Sequence, residues 1–337
     1  MLGEVPVSGF DGEFAMTDKE FRRLMTLLGG LSERQRAALK EILERRPASE
    51  EAATVIDAAF SAHPCCGHCG SEASQRWGRA NGLRRYRCKD CRRTYNALTG
   101  TPLAHLHRRE VWLAYAQALA DGISLRKAAD RCGVDLTTSF RWRHRFLESA
   151  RHDKAERVSG IVEMDETYFL ESQKGRRRVC GREPRRRGGV ASKRGISDEQ
   201  VPVLIVRDRA CATYDTILAD RRFETFRRAL LPIVARDAVM VSDGADRGAY
   251  RAFARRQGIT HVPLHIKAGL RVRGPHHIQN VNAYTSGLKN WIRRFRGVAT
   301  KYLETYLGWW RMIDRQRQRL TAHACLAATV GFANAAT

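Results

Sequence analysis

Two β-like runs in this sequence lead into an aspartate. GIVEMDETYF places Asp165 on or near the end of one run, and AVMVSDG places Asp243 just past four apolar residues and Ser242. Two carboxylates at neighbouring strand ends form a clamp for magnesium, a hard cation that takes oxygen ligands and keeps waters and substrate phosphates in its shell. Two such ions can align an attacking hydroxyl and a leaving oxygen in phosphoryl transfer, with manganese as a substitute. An aspartate after a strand is also a common helix cap or turn residue, so the pairing carries the reading. Glu163 and Glu166 are rivals to Asp165, and Asp246 reads as a helix cap.

A third ligand is needed, and here the sequence is informative by what it lacks. From Arg247 through Leu303 there is no aspartate or glutamate, although lysine and arginine are frequent. The helical stretch 279–296 therefore has no acid to offer. It has Asn282, whose carbonyl oxygen can meet a metal, and Lys289, which can meet a phosphate. Their seven-residue spacing is two helical turns and puts both on one face. His276 and His277 lie just upstream as loop residues, and Trp291, Trp309 and Trp310 read as core.

Cysteines supply a second constellation. Cys66-x-x-Cys69 and Cys88-x-x-Cys91 are separated by eighteen residues. Each CxxC forms a knuckle with two thiolates, and a hairpin between the knuckles can bring them to one zinc ion in a closed tetrahedral site. Gly67 and Gly70 permit the first turn, and Tyr86 and Tyr95 can pack around the second. A 26-residue module has almost no core, so zinc supplies its folding energy. Cys65 adjoins Cys66 and is an alternative ligand at CxxxC spacing, CxxC being the commoner geometry. Cys132, Cys180, Cys211 and Cys325 read as buried or incidental.

A third pattern reads as a helix-turn-helix. Ser124 to Ala129 opens a first helix, Gly133-Val134 makes the turn, and the second helix ends in FRWRHRF. Its polar and basic side chains Thr137, Thr138, Arg141, Arg143 and Arg145 suit a DNA major groove. Trp142 and Phe146 read as its core face.

These groups need elements to position them. The N-terminal stretch 1–60 reads as helical: Leu24, Leu27 and Leu28 share one face, and Ser32 with Gln35 forms a capping-box pattern. Residues 61–104 form the expected zinc ribbon and 105–150 the helix-turn-helix region. From 155 to 325 short β runs (GIVEMDE, VPVLIVRD, AVMVSD) alternate with helices near 222–235, 247–257, 279–296 and 299–319, which signals an α/β domain. Between its first two β runs, residues 172–195 hold ten Lys/Arg and one Glu, a net +9, and read as a mobile basic loop or β-insertion.

The whole chain agrees with a polyanionic partner. Its 337 residues include 60 Lys/Arg against 36 Asp/Glu, a net +24, and 43% hydrophobic residues, enough for a packed core. Apolar runs stay below the ~18 residues that span a bilayer. Residues 1–21 lack the basic-then-apolar order of a secretory signal, so a cytoplasmic, nucleoid-associated protein without disulfides is expected.

The stretch HIQNVNAYTSGLKNWIRRFRGVATKYLETYLGWWR, with MDETYF, VSDG and the paired CxxC motifs, resembles bacterial insertion-sequence DDE transposases. The resembling group is the ISXO-like one, with an N-terminal zinc ribbon and an Asp-Asp-(Asn or Glu)-Lys signature, related to the Merlin transposases. The resemblance covers about residues 20–320. It implies an RNase H-like catalytic fold, magnesium-dependent cleavage of double-stranded DNA at element ends, strand transfer to a target, and a homo-oligomer in the synaptic complex. Carried over residue by residue, it assigns Asp165, Asp243, Asn282 and Lys289 to catalysis. Asparagine in place of the commoner glutamate removes a charge from the metal cage. Arg293, Arg294 and Arg296, with the basic insertion, are candidates to hold flanking or target strands. Two rival readings stay open: a DNA-binding regulator without catalysis, and a nuclease or integrase of the same fold.

Overall fold

A computed structural model describes residues 17–61, 64–186, 189–193, 195–244, 248–316 and 320–330. Asp246 lies outside the described residues, as does the start of the N-terminal stretch, residues 1–16.

Helix α1 (Asp18–Gly29) begins at Thr17, which exchanges hydrogen bonds with Glu20 in a capping box. Helix α2 (Glu33–Ser61) starts with the expected box, Ser32 and Gln35 bonding each other's backbone N–H. The second half of α2 buries Ala52, Ile56 and Phe60. Phe60 packs edge-on against Tyr95 and tilted against Tyr86, and those two tyrosines stack at 5.5 Å.

Three antiparallel strands follow: β1 (Ser74–Ala80), β2 (Leu83–Cys88) and β3 (Thr94–Tyr95). Asn81 and Gly82 both take positive φ between β1 and β2, the backbone of a tight hairpin turn. The next helices are α3 (Trp112–Ala120), α4 (Leu125–Cys132), α5 (Leu136–Phe146) and α6 (Glu148–His152). Ser124 caps α4, and Gly133 closes it at φ +57, a conformation that favours glycine.

The larger sheet has the order β6-β5-β4-β7-β8. Its strands are β4 (Ile161–Leu170), β5 (Gln200–Asp208), β6 (Thr213–Ile217), β7 (Val239–Ser242) and β8 (Thr260–Pro263). The β4–β5 and β5–β6 pairs are antiparallel, whereas β4–β7 and β7–β8 are parallel. Helix α7 (Phe223–Leu230) precedes β7, and α8 (Ala249–Gln257) connects β7 to β8. The three strands read from sequence are present. Edge strands β6 and β8 were not anticipated, because both are short and polar (TYDTI, THVP).

Alternation along the strands divides the core. Val162, Met164, Leu204, Val206 and Met240 face Phe226, Tyr250 and Phe253 of α7 and α8. Val203, Ile205 and Val241 face the opposite side, which is covered by α9 (Gln279–Arg293) and α10 (Leu303–Gln316). Helix α11 (Ala322–Thr329) completes the chain's packing against α2 and α3. Helices α9 and α10 meet closely: a Cβ on Gly287 would collide with the Trp310 ring.

The α3–α6 region is bolted to this core rather than tethered. Trp309 donates to the carbonyl of Leu119 at 3.0 Å. Arg311, buried and ion-paired with Asp215, donates to the carbonyls of Ala150, Arg151 and Asp153. Among the described residues, the 172–195 insertion forms neither helix nor strand. It is tied down by Arg182–Glu171 (2.8 Å), Arg185–Glu199 (3.0 Å) and reciprocal bonds between Ser172 and Thr300.

Candidate active site

Asp165 is the fifth residue of the ten-residue β4, so it lies mid-strand rather than at a strand end. The end belongs to its neighbour. Strand β7 pairs in parallel with Glu163 opposite Val241, and β7 stops at Ser242. Two residues further along both chains come Asp165 and Asp243, which the alternation turns to the α9 side of the sheet. Their carboxylates are close enough to repel. Burial first, and Asp243 second, push the Asp165 carboxyl up to about 6, while the Glu166 backbone N–H (2.9 Å) and Lys289 oppose the rise. Two oxygen donors pressed together in a half-buried site, with Lys289 alongside, have the donor chemistry that a hard divalent cation relieves.

Helix α9 brings Asn282 and Lys289, both exposed, seven residues apart on one face. The opposite face buries Val281, Tyr284, Leu288 and Trp291. Tyr284 donates to Asp215 at 3.1 Å. The apolar spacing of α9 thus sends Asn282 and Lys289 away from the core.

The two glutamates near Asp165 are engaged elsewhere. Glu166 points to the α8 side and accepts from the Tyr250 hydroxyl at 2.6 Å. Glu163 is fully buried below α9, in contact with Arg209 (3.1 Å) and His277 (3.4 Å). Sequence reasoning treated Glu163 and His277 as a rival ligand and a loop residue. Their partners come from a distant strand and turn, and no local pattern signals that.

The cysteines Cys66, Cys69, Cys88 and Cys91 converge, with their sulfurs within 4.8 Å of one another. The Cys66–Cys91 and Cys69–Cys88 sulfurs are 3.7 and 3.6 Å apart. The β1–β2 hairpin closes the eighteen-residue gap by pairing Ser74 with Cys88. Cys65 stands outside the group, so Cys66 takes the fourth position. Four sulfurs so placed match a tetrahedral thiophilic ion.

On α5, Thr137, Arg141 and Arg145 are exposed and Thr138 is half-buried. Arg143 is a correction. It is only 1% exposed, donates to the carbonyl of Ile123 at 2.7 Å, and lies over the Trp309 ring at 5.0 Å and Phe295 at 5.6 Å. It therefore cannot reach DNA. The signal was in the spacing: Ser139, Trp142, Arg143 and Phe146 form one i, i+3, i+4, i+7 stripe, and all four are buried. Arg293, Arg294 and Arg296 are exposed at the end of α9. Lys174 of the basic insertion reaches this end, donating to the carbonyls of Gly297 (2.9 Å) and Phe295 (3.4 Å).

Residues 157–310, from just before β4 into α10, match the ISXO2-like transposase domain. All four candidate catalytic residues fall inside that span. The chain is also 29% identical over 246 residues to an uncharacterized protein in transposable element ISH50 of Halobacterium salinarum (strain ATCC 700922 / JCM 11081 / NRC-1), covering 72% of this chain and 82% of the relative. Among the described residues no helix is long and apolar enough to cross a membrane. Over residues 157–310 this chain is therefore similar to the ISXO2-like transposase domain, and over most of its length it is similar to a protein carried by a transposable element.

Proposed function

We propose that the protein binds the terminal inverted repeats of a mobile element, cleaves DNA there and joins the freed end to a target. The observation that carries this reading is the juxtaposition of Asp165 and Asp243, each two residues past the paired Glu163 and Val241 of neighbouring parallel strands, beneath a helix that presents Lys289. The five-stranded mixed sheet with helices on both faces supports an RNase H-like core.

Asp165 and Asp243 would hold magnesium, with the carbonyl oxygen of Asn282 as a neutral third donor. Bound there, two ions would neutralise charge at the scissile phosphate and ease deprotonation of the attacking hydroxyl. Lys289 holds a phosphate oxygen beside the cut. Water first frees a 3′-hydroxyl, and that hydroxyl then attacks the target strand without a covalent enzyme intermediate. The chain's own contribution is positioning and charge stabilisation.

Cys66, Cys69, Cys88 and Cys91 hold a structural zinc. Helices α4 and α5 act as a helix-turn-helix, with Thr137, Thr138, Arg141 and Arg145 toward DNA. Arg293, Arg294 and Arg296 and the insertion hold flanking or target strands. Two protomers, each bearing one element end, form the synaptic complex.

The test is magnesium-dependent nicking of a DNA duplex that carries the element end. Asp165→Ala and Asp243→Ala should each lower nicking by ~10³-fold or more while end binding persists. Unchanged nicking in either variant removes that residue from the mechanism, and a wild type that binds but never nicks favours the regulator.

A further inference from the structure

Helix α9 is not capped from its own N-cap position. Its N-cap residue Ile278 makes no side-chain cap bond, and its first turn holds no acid. The first-turn N–H groups still need acceptors. Glu163 of β4, 117 positions earlier than Asn280, supplies them. One carboxylate oxygen accepts the backbone N–H of Asn280 at 2.8 Å and of Val281 at 3.0 Å. The other accepts the Asn280 side-chain amide at 3.0 Å and faces Arg209 at 3.1 Å. Arg209 in turn donates to His277 Nε2 (2.7 Å) and to the Pro275 carbonyl (2.8 Å), which fixes the chain entering α9.

A buried carboxylate is an expensive cap, since a serine, threonine or aspartate at position 278 could satisfy the same N–H groups at the surface. What the strand acid adds is location. Glu163 is two residues from Asp165 on the same face of the same strand, and Asn282 is one residue past the bonded Val281. The first aspartate and the helix that carries the third ligand are therefore joined through one side chain, and the helix dipole favours that charge.

We propose that Glu163, held by Arg209, is a positioning residue that sets the height and register of Asn282 and Lys289 over Asp165. This rests on the reading of Asp165, Asp243, Asn282 and Lys289 as the active site.

The test uses the full-length, zinc-loaded protein. Manganese alone is titrated by electron paramagnetic resonance, with Asp165→Ala as the blank, and nicking of the element end is measured in parallel. Glu163→Gln keeps the shape and removes the charge. It should weaken manganese binding about tenfold and slow nicking ~10–100-fold, with end-DNA affinity within about twofold of wild type. Hydrogen exchange should quicken in the first turn of α9 and not at Leu288–Arg293. A double-mutant cycle on manganese affinity decides whether Glu163 acts through Asn282: Glu163→Gln with Asn282→Ala should be no weaker than Asn282→Ala alone. Additive losses, or unchanged manganese affinity in Glu163→Gln, overturn the proposal. Arg209→Gln leaves the carboxylate in place and should give a smaller loss of the same kind, and it serves as the deciding variant if Glu163→Gln does not fold. If Asp165→Ala still nicks, the site reading itself fails. If Asp165→Ala is dead and Glu163→Gln nicks like wild type, only the positioning role falls.

Discussion

The zinc ribbon and the aspartate site are both small clusters of metal-type ligands, but they are assembled in opposite ways. Cys66 to Cys91 lie within one short stretch, and a single hairpin closes the site. The proposed catalytic residues Asp165, Asp243, Asn282 and Lys289 span 125 positions, and their elements meet through a parallel β4–β7 pairing and a helix clasped to the sheet by Glu163. The ribbon has no core of its own and shares one with α2, where Tyr86 and Tyr95 pack against Phe60. The aspartate site sits on a sheet whose two faces are filled with apolar side chains, so the scaffold exists before any ligand and holds the two carboxylates together at a cost.

The largest expected effect separates the two modules. A strong chelator that strips zinc should remove ~10 kcal/mol of folding free energy from the ribbon. Its amides, residues 66–95, should lose exchange protection while those of β4, β5 and β7 keep theirs. Parallel loss in both regions would show that the larger sheet also depends on the metal, and the contrast would collapse.

The next effect concerns the joint between the α3–α6 helices and the core. Arg143→Ala should lower stability by about 3 kcal/mol in urea unfolding, because it empties a buried slot over Trp309 and Phe295 and orphans the Ile123 carbonyl. Arg141→Ala should leave stability almost unchanged and instead reduce the salt dependence of DNA binding by about one phosphate contact. If Arg143→Ala behaved like Arg141→Ala, its burial would not be what α5 contributes to the fold.

The smallest effect tests stored repulsion in the aspartate site. The folded Asp165 carboxyl titrates near 6 against an ordinary value of 3.8, so ionising it costs stability as pH rises through that window. Without divalent metal, Asp165→Asn should raise stability by ~1–2 kcal/mol at pH 8, or about 2–4 °C in Tm, and by almost nothing at about pH 2.5, where the wild-type group is protonated in both states. No gain at pH 8 would mean that Asp243 and burial do not strain this carboxylate.

Much of the molecule is legible one segment at a time. Ser32 announces its helix, and Gly133 ends α4. The CxxC pairs mark their site, and VPVLIVRD is a strand because its side chains are apolar on both faces. Strand β6 escapes because Asp215 in TYDTI looks exposed, whereas Arg311 and Tyr284 satisfy it in the interior. Arg143 misleads by residue type while its spacing is right. In Glu163 the deciding partner lies 117 positions away.

By itself, then, the sequence determines what local physics controls: helix starts and stops, the two CxxC pairs of the ribbon, the acidic residues of the β runs, and a charge that calls for a polyanion. It also shows that α9 carries no acid, which makes Asn282 the candidate for the third position. Tertiary structure alone decides which carboxylate faces the site, which caps a helix and which arginine is spent inside. Those choices depend on strand register and on which face of each element is covered, and both are settled by packing between segments far apart in the chain.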